Sequence, residues 1–116
     1  MSETGQNFIA GAWCEGPSTI ANINPSDLSD QIGHFAQADS AQLDRALEAA
    51  QTAQKKWAVT GLEARQTILM NIGNELMERR IELGTLLSRE EGKPLAEGVG
   101  EIYRAGQFFT YYAAEV

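Results

Sequence analysis

The sequence predicts an α+β fold, in which a short β-hairpin and β-meander region at residues 1–38 precedes a helical region at residues 39–116 with about four helices. Two observations predict this order. Up to residue 38, short apolar stretches are separated by turn-forming residues, as expected for small antiparallel strands. From residue 39 onwards, apolar residues recur every three or four positions, which is the period of an amphipathic helix.

The strand region begins with a predicted hairpin at residues 8–13, in which Ala10-Gly11 forms the tight turn. Apolar residues alternate with polar or small ones in two further stretches, residues 20–23 and 32–35, as in half-buried strands. Between them, Asn24-Pro25-Ser26-Asp27 is a strong turn signal, because proline fixes φ and the Asn and Asp side chains bond nearby backbone. We therefore expect two or three short antiparallel strands.

The first two predicted helices each have a capping signal and an apolar stripe. Asp39 or Ser40 can accept a hydrogen bond from a free N–H group in the first turn of the first helix. Thr60 and Glu63 have the spacing of a capping box at the start of the second. The stripes expected to be buried are Leu43, Ala46, Leu47, Ala50, Ala53 and Trp57 in the first helix, and Ile68, Leu69, Ile72 and Leu76 in the second.

A third, shorter helix is predicted at residues 81–91, with Leu83, Leu86 and Leu87 buried. Gly92-Lys93-Pro94 is expected to end it. Glycine can adopt the left-handed closing conformation, and proline cannot continue the preceding helix but can start the next one.

The fourth predicted helix runs from about Pro94 to the C-terminus and is rich in glycine and aromatic residues. Gly98, Gly100 and Gly106 each weaken a helix by up to about 1 kcal/mol relative to alanine, which indicates close packing against another element. The stripe of this helix is Leu95, Val99, Ile102, Gly106, Phe109, Ala113 and Val116, widened by Tyr103, Phe108, Tyr111 and Tyr112. Because this aromatic helix has no terminal cap, the sequence predicts a segment of a longer protein.

Composition limits the functions that these residues can perform. The chain has 116 residues, which is room for one domain at most. Nine Lys and Arg residues against sixteen Asp and Glu residues give a net charge of −7, which is unfavourable for binding nucleic acid or an anionic membrane. Cys14 is the only cysteine, which excludes an intrachain disulfide and fits a cytoplasmic location.

The candidate catalytic side chains form no complete set. Cys14 and His34 could act as a nucleophile and its base, but nothing in the sequence places them together. Glu97 and Glu101 share a helix face, as an acid–base pair would, but no predicted cleft would raise the pKa of either one. The same holds for Glu90-Glu91, so we predict no catalytic residue.

Two glycine motifs resemble nucleotide-binding signatures and are better explained by helix structure. Gly98-Val99-Gly100 begins like the dinucleotide fingerprint, but it lacks the third glycine and lies inside a predicted helix. Gly92-Lys93 resembles the end of a phosphate loop, but Pro94 replaces the hydroxyl residue that would bind magnesium. We therefore predict no cofactor-binding residue.

Six fragments, taken in order, resemble the NAD(P)-dependent aldehyde dehydrogenases. They are Ile9-Ala10-Gly11-Ala12-Trp13, Asn24-Pro25 with Ile32-Gly33, Asp44 and Ala46 with Ala49-Ala50 and Trp57, Glu63-Ala64-Arg65 with Ile68-Leu69, Glu90-Glu91-Gly92-Lys93-Pro94 with Glu97, and Tyr111-Tyr112-Ala113. Further on, Glu101-Ile102-Tyr103-Arg104-Ala105-Gly106 and Phe108-Phe109 are similar to the branch that acts on α-ketoglutarate semialdehyde (2,5-dioxovalerate).

The resemblance implies that residues 1–116 are an incomplete, amino-terminal segment of the cofactor-binding domain of a larger α/β enzyme. That enzyme would oxidise an aldehyde to an acid with NAD or NADP, as a homodimer or homotetramer, and its nucleophilic cysteine would lie beyond this segment. The segment alone is expected to be inactive. By the same resemblance, Glu90 and the main-chain carbonyls of Asn22 and Ile23 would hold a structural monovalent cation.

One alternative stays open from the sequence. The chain could be a free-standing helical interaction module without catalytic activity, which binds a partner helix through its aromatic fourth helix.

Overall fold

The computed structural model describes residues 4–115 and divides the chain into two compact units. The first unit contains all five strands and the first helix; the second contains Pro25–Asp27 and the other three helices. In chain order the elements are β1 (Thr4–Gly5), β2 (Asn7–Ile9), β3 (Ala12–Cys14), β4 (Ser18–Ile23), β5 (Gln31–Gln37), α1 (Ser40–Ala58), α2 (Leu62–Glu78), α3 (Arg80–Glu91) and α4 (Leu95–Glu115). No helix in this range has the length and apolar content needed to cross a bilayer.

The predicted hairpin is confirmed. Strands β2 and β3 pair antiparallel, and Phe8 lies opposite Trp13 with ring centroids 4.9 Å apart. Ala10 and Gly11 have φ values of 55° and 83°, the positive values that a two-residue turn of type I′ requires at both central positions.

The remaining strands form a second sheet with the order β1-β5-β4. Strand β4 pairs antiparallel with β5, as predicted, and the backbone N–H of Asn24 donates to the Asp30 carbonyl at 3.0 Å in their connection. Strand β1 pairs parallel to β5, with Thr4 opposite His34. The sequence predicted two or three antiparallel strands for this region. Within residues 4–115 five strands form in two sheets, and the β1–β5 pair is parallel rather than antiparallel.

Helix α1 begins as predicted, because the Asp39 carboxylate accepts a hydrogen bond from the Gln42 N–H at 2.8 Å. Its apolar stripe is not buried as expected: Leu43 is 56% exposed and Leu47 54%. The buried residue of α1 is instead the polar Gln42.

The capping box predicted for the second helix is wrong. Helix α2 begins at Leu62, so Gly61 is the N-cap residue and no side chain forms the cap hydrogen bond. Glu63 is therefore the second helical residue, whereas the reciprocal bond of a capping box needs the third.

Helix α4 packs on α2 and α3 through small residues, which confirms the prediction for two of its three glycines. A Cβ atom on Gly106 would lie 2.8 Å from the Gly73 carbonyl oxygen of α2, and one on Gly98 would collide with Ser88 of α3. A Cβ atom on Gly100 would meet nothing within 4 Å, so the prediction of close packing is wrong there.

The core of the second unit is small, because the residues that α4 buries are glycine and alanine. Ala113 is fully buried, Leu83 and Leu87 are half-buried, and Leu86 is 39% exposed, so the predicted burial of Leu86 is wrong. Among residues 4–115, no large side chain is fully buried. The last residue of the predicted stripe, Val116, lies outside the described residues.

Candidate functional site

Cys14 and His34 lie on different sheets of the first unit. The Cys14 thiol, on β3, donates to the Asn7 carbonyl oxygen at 3.4 Å, and its sulfur accepts from Gln42 Nε2 at 3.7 Å, so its partners are a carbonyl and an amide rather than a base. His34, on β5, has its Nδ1 atom 3.4 Å from Gln31 Nε2. This placement provides no nucleophile–base contact for covalent catalysis.

Gln42 connects the hairpin to α1, and the sequence did not predict this role. Its Nε2 donates to the Glu15 carbonyl oxygen at 2.7 Å, and its Oε1 accepts from Asn7 Nδ2 at 3.3 Å. Only 5% of Gln42 is exposed, so these bonds satisfy a side-chain amide that would otherwise be costly to bury. The sequence gives no sign of this buried amide, because a glutamine in the first turns of a helix is usually exposed to solvent.

The first unit also has an open groove of about 780 Å³ between the hairpin turn and α1. Its walls are Phe8, Ala10 and Gly11 on one side and the small residues Ala46 and Ala50 of α1 on the other. Arg45, Glu48 and Thr52 of α1 also line the groove, so its walls combine apolar and polar side chains.

The two glycine motifs lie where the helix pattern places them. Gly92 follows α3 with a φ of 69° and closes that helix. Gly98 and Gly100 lie within α4. A dinucleotide fingerprint needs its glycines in a turn between a strand and a helix, so these residues do not fit a nicotinamide dinucleotide.

The connection between α3 and α4 contains a cluster of three charged side chains. The Lys93 ammonium forms ion pairs with the carboxylates of Glu91 and Glu101, and the Lys93 side chain is only 15% exposed. The hydrogen bond to Glu101, followed by that to Glu91, raises the pKa of Lys93 above its ordinary value. Lys93 therefore stays protonated and holds the start of α4 against the end of α3.

The 25–27 turn packs on the same connection. Ser26 Oγ donates to the Gly92 carbonyl oxygen at 2.6 Å. A Cβ atom on Gly92 would lie 2.9 Å from Pro25 Cγ, so glycine is required here for space as well as for its positive φ. The sequence predicted this turn, but gave no sign that it would contact a residue so distant in the chain.

The predicted cation ligands lie in different units. Glu90 is exposed in the last turn of α3. Asn22 and Ile23 are the last residues of β4 in the first unit. Among residues 4–115, no group of three or more His, Cys, Asp or Glu side chains is arranged to hold a metal ion. The role of Glu90 stays a prediction.

The side of α4 that faces away from α2 and α3 is aromatic. Phe108 is 56% exposed, Tyr111 59% and Tyr112 58%, and the two tyrosine rings meet edge to face at 5.2 Å. With Arg104 and Gln107 they line an open cleft of about 320 Å³. We call Arg104, Gln107, Phe108, Tyr111 and Tyr112 the α4 cleft.

Known proteins are similar to this chain in sequence and in fold. A model of the aldehyde dehydrogenase family matches residues 13–116. The N-succinylglutamate 5-semialdehyde dehydrogenase of Chromobacterium violaceum is 38% identical over 96 residues, which cover 82% of this chain and 20% of that protein. The alpha-ketoglutaric semialdehyde dehydrogenase of Bacillus subtilis is 34% identical over 113 residues, which cover 94% of this chain and 23% of that protein.

A crystal structure of an E. coli NADP-dependent enzyme superposes with a TM-score of 0.90 and 33% identity, over 97% of this chain and 24% of that one. The α+β architecture predicted for this segment is thereby confirmed as part of a known, larger fold. This chain spans about a fifth to a quarter of the length of these proteins. Since the family model covers nearly all of its residues, the chain belongs to the aldehyde dehydrogenase family.

Proposed function

We propose that these residues are the amino-terminal part of a longer enzyme, within its cofactor-binding domain. That enzyme oxidises an aldehyde to a carboxylic acid and transfers the hydride to NAD or NADP. The observation that carries this proposal is the family match over residues 13–116, together with relatives that are about four to five times as long as this chain.

We further propose that this segment is inactive by itself and acts through packing. Three features support this: the thiol of Cys14 is bonded to backbone, the Gly98–Gly100 pair lies within a helix, and Lys93 is engaged by two carboxylates. These groups hold the fold together rather than face a substrate.

An assay of the 116-residue chain beside the longer polypeptide tests both statements. Each is incubated with NAD⁺ or NADP⁺ and a panel of semialdehydes, and the formation of reduced cofactor is followed by absorbance. We expect turnover by the longer polypeptide alone. Turnover by the short chain would overturn the inactive-segment proposal, and no turnover by either would overturn the enzyme assignment.

A second candidate function is the interaction module without activity, which the exposed aromatic side of α4 favours. A monodisperse monomer with a cooperative melt would support the module. Aggregation of the short chain would support the enzyme segment, because an uncovered aromatic face then lacks the surface that it packs against.

The substrate that we propose is an acidic semialdehyde of the α-ketoglutarate semialdehyde type. Both named relatives are dehydrogenases of aldehydes that also carry carboxylate groups. The test compares kcat/KM of the longer enzyme for α-ketoglutarate semialdehyde, succinate semialdehyde and uncharged aldehydes of similar length. A higher kcat/KM for the uncharged aldehydes would contradict this choice.

Glu90 is proposed, with the carbonyls of Asn22 and Ile23, to bind a structural monovalent cation, since hard cations prefer oxygen ligands. Soaking crystals of the longer enzyme in a rubidium salt is expected to give an anomalous peak beside Glu90, which disappears in Glu90→Gln. The matched variant Glu78→Gln, at an exposed position of α2, should keep the peak. Absence of a peak in the native enzyme would refute the site.

We also propose that the longer enzyme is cytoplasmic and forms a homodimer or homotetramer. Sedimentation equilibrium of the longer polypeptide measures its assembly, and a monomer at micromolar concentration would contradict the oligomer. Fractionation of the source cells tests the location.

A further inference from the structure

The outer edge of β4 pairs with no strand among residues 4–115. The sheet of the first unit has the order β1-β5-β4, so β4 is hydrogen-bonded to β5 on one side and ends the sheet on the other. Alternate residues of an edge strand direct their backbone N–H and C=O groups outwards. Because β4 is six residues long, its edge offers a row of donors and acceptors to a further strand of ordinary length.

This edge lacks the side chains that usually prevent strands of different molecules from pairing. Edge strands of soluble proteins commonly carry lysine, another charged residue or proline. Ser18–Ile23 contains none of these, although the whole chain has a net charge of −7. Two copies of β4 can therefore approach each other without repulsion between the side chains of the two edges.

An apolar row crosses the sheet and ends at the β4 edge. Ile20 of β4 lies opposite Phe35 of β5, which in turn lies opposite Gly5 of β1. A Cβ atom on Gly5 would collide with the Phe35 ring, so this ring lies over Gly5. Ile20 is 56% exposed and Phe35 38%, so the row still has apolar surface to bury at the edge.

The regular part of β4 has a side-chain pattern that is complementary to itself. The register with β5 is continuous from Ser18 to Asn22 and shifts at the next residue, so the regular stretch is centred on Ile20. Since side chains alternate between the two faces, these three residues share one face. In an antiparallel pair centred on Ile20, Ile20 lies opposite its own copy and Ser18 opposite Asn22. Apolar then meets apolar and polar meets polar.

We propose that the β4 strands of two copies of this chain pair antiparallel about a twofold axis at Ile20. The two three-stranded sheets then form one continuous sheet, and the Ile20 and Phe35 side chains of both copies cover each other. Such an interface, with the same surface on both subunits, is the commonest kind in homo-oligomers. This inference rests on the proposed function, since it names one interface of the homodimer or homotetramer proposed there.

Disulfide formation in the longer polypeptide tests the register. Residues directly opposite each other in an antiparallel pair have Cα atoms about 4.5–5.5 Å apart, which is within the range that a disulfide bridges. Ile20→Cys should therefore give a covalent dimer on oxidation with copper phenanthroline, which dithiothreitol reverses. The two copies of residue 18 would lie about 13 Å apart along the strands, so the control Ser18→Cys should give no more covalent dimer than the native polypeptide.

A charge at the edge tests whether this pairing contributes to assembly. Ile20→Lys places two like charges on the twofold axis, so we expect the mass measured by sedimentation equilibrium at micromolar concentration to fall by half. The control Leu28→Lys adds the same charge in the turn that follows β4, where Leu28 is 80% exposed. This control should keep the native mass.

The outcomes separate this inference from the proposed function. If Ile20→Cys gives no more covalent dimer than Ser18→Cys, or if folded Ile20→Lys keeps the native mass, the β4 edges do not pair. A native polypeptide that oxidises aldehydes as a monomer would refute the pairing and the proposed assembly, but not the enzyme assignment. A native polypeptide that oxidises no aldehyde would overturn the enzyme assignment, and the crosslink would still decide the pairing. Melting temperatures within a few degrees of native confirm that each variant folds.

Discussion

At the scale of single residues, the space beside Cα distinguishes glycines that look alike in the sequence of α4. Gly106 faces the backbone of α2, where an added methyl group would lie 2.8 Å from the Gly73 carbonyl oxygen. Gly100 faces open space. The same substitution should therefore have opposite effects at the two positions, because overpacking acts at one and helix propensity at the other.

Gly106→Ala is expected to destabilise the protein by about 1–3 kcal/mol, since the α2–α4 contact must widen to accept the methyl group. Gly100→Ala should stabilise it by up to about 1 kcal/mol through higher helix propensity. Urea unfolding followed by circular dichroism measures both. Equal effects of the two substitutions would contradict the close approach of α2 and α4.

Gln42 is the polar residue whose loss should matter most in the first unit. Gln42→Ala removes the donor to the Glu15 carbonyl oxygen and the acceptor for Asn7 Nδ2, and is expected to cost about 0.5–1.5 kcal/mol for the lost hydrogen bonding. Gln51→Ala, an exposed change in the same helix, should stay within about 0.5 kcal/mol of native. Urea unfolding of the two variants measures the difference. If both unfold at the same urea concentration, the hydrogen bonds of Gln42 do not contribute to stability.

At the scale of elements, the short junction between α2 and α3 is held by charge. The guanidinium of Arg79 donates to Glu82 at 2.8 and 3.0 Å and to Glu75 at 3.0 Å. These bonds lower the pKa of Glu82 and raise that of Arg79. A carboxyl group whose pKa is lower in the folded state stabilises the fold above its ordinary pKa, and that contribution is lost as the pH falls through the lowered value.

The native protein should therefore lose stability on acidification in part through Glu82. NMR titration of its carboxyl carbon is expected to give a pKa below the ordinary glutamate value. In Arg79→Met the pKa of Glu82 should return towards that value. High salt should reduce the difference, because the pair is exposed to solvent. An unchanged titration in Arg79→Met would refute the assigned cause.

The Lys93 ion pairs predict how easily the α3–α4 connection unfolds locally. Lys93→Met leaves the carboxylates of Glu91 and Glu101 without the cation between them, so they repel each other. We expect faster hydrogen exchange at the amides of residues 92–98, with little change in α1. Lys93→Arg should retain slow exchange because it keeps the charge. Unchanged exchange in Lys93→Met would indicate that Gly92 and Ser26 hold the connection without Lys93.

Elements whose signal is local were predictable, and contacts between distant residues were not. The hairpin turn, the Asp39 cap and the left-handed Gly92 follow from residue types that few other conformations suit. Strand β1 is two residues long, and its parallel pairing depends on backbone alone, so no side-chain pattern marks it. The burial of Gln42 and the contact of Ser26 with Gly92 join residues 27 and 66 positions apart, beyond the reach of any periodicity.

In the candidate site too, local features were predictable from the sequence and contacts between side chains were not. The sequence identified the glycines and carboxylates of residues 90–101 as candidates, but not which charged side chains form ion pairs. Lys93 and Glu101 are eight positions apart, and they meet only because of the way in which α4 follows α3.

At the scale of the whole molecule, apolar stripes that periodicity assigns to a core are uncovered in each unit. Leu43 of α1 is 56% exposed, and Phe108 of α4 56%, whereas the buried contacts of α4 involve glycine and alanine. A helix with small residues on its inner side and aromatic residues on its outer side has two packing surfaces. We infer that the outer surfaces are covered by the remaining part of the longer polypeptide.

That inference predicts a difference between the 116-residue chain and the longer polypeptide. The short chain should bind the dye ANS strongly and aggregate, because Phe108, Tyr111 and Tyr112 are each more than half exposed, whereas the longer polypeptide should bind little. Phe108→Ser with Tyr111→Ser should lower dye binding by the short chain. The same double change should destabilise the longer polypeptide, since there it would lose contacts instead of exposed surface. Equal dye binding by the two native proteins would show that α4 stays uncovered in the longer polypeptide.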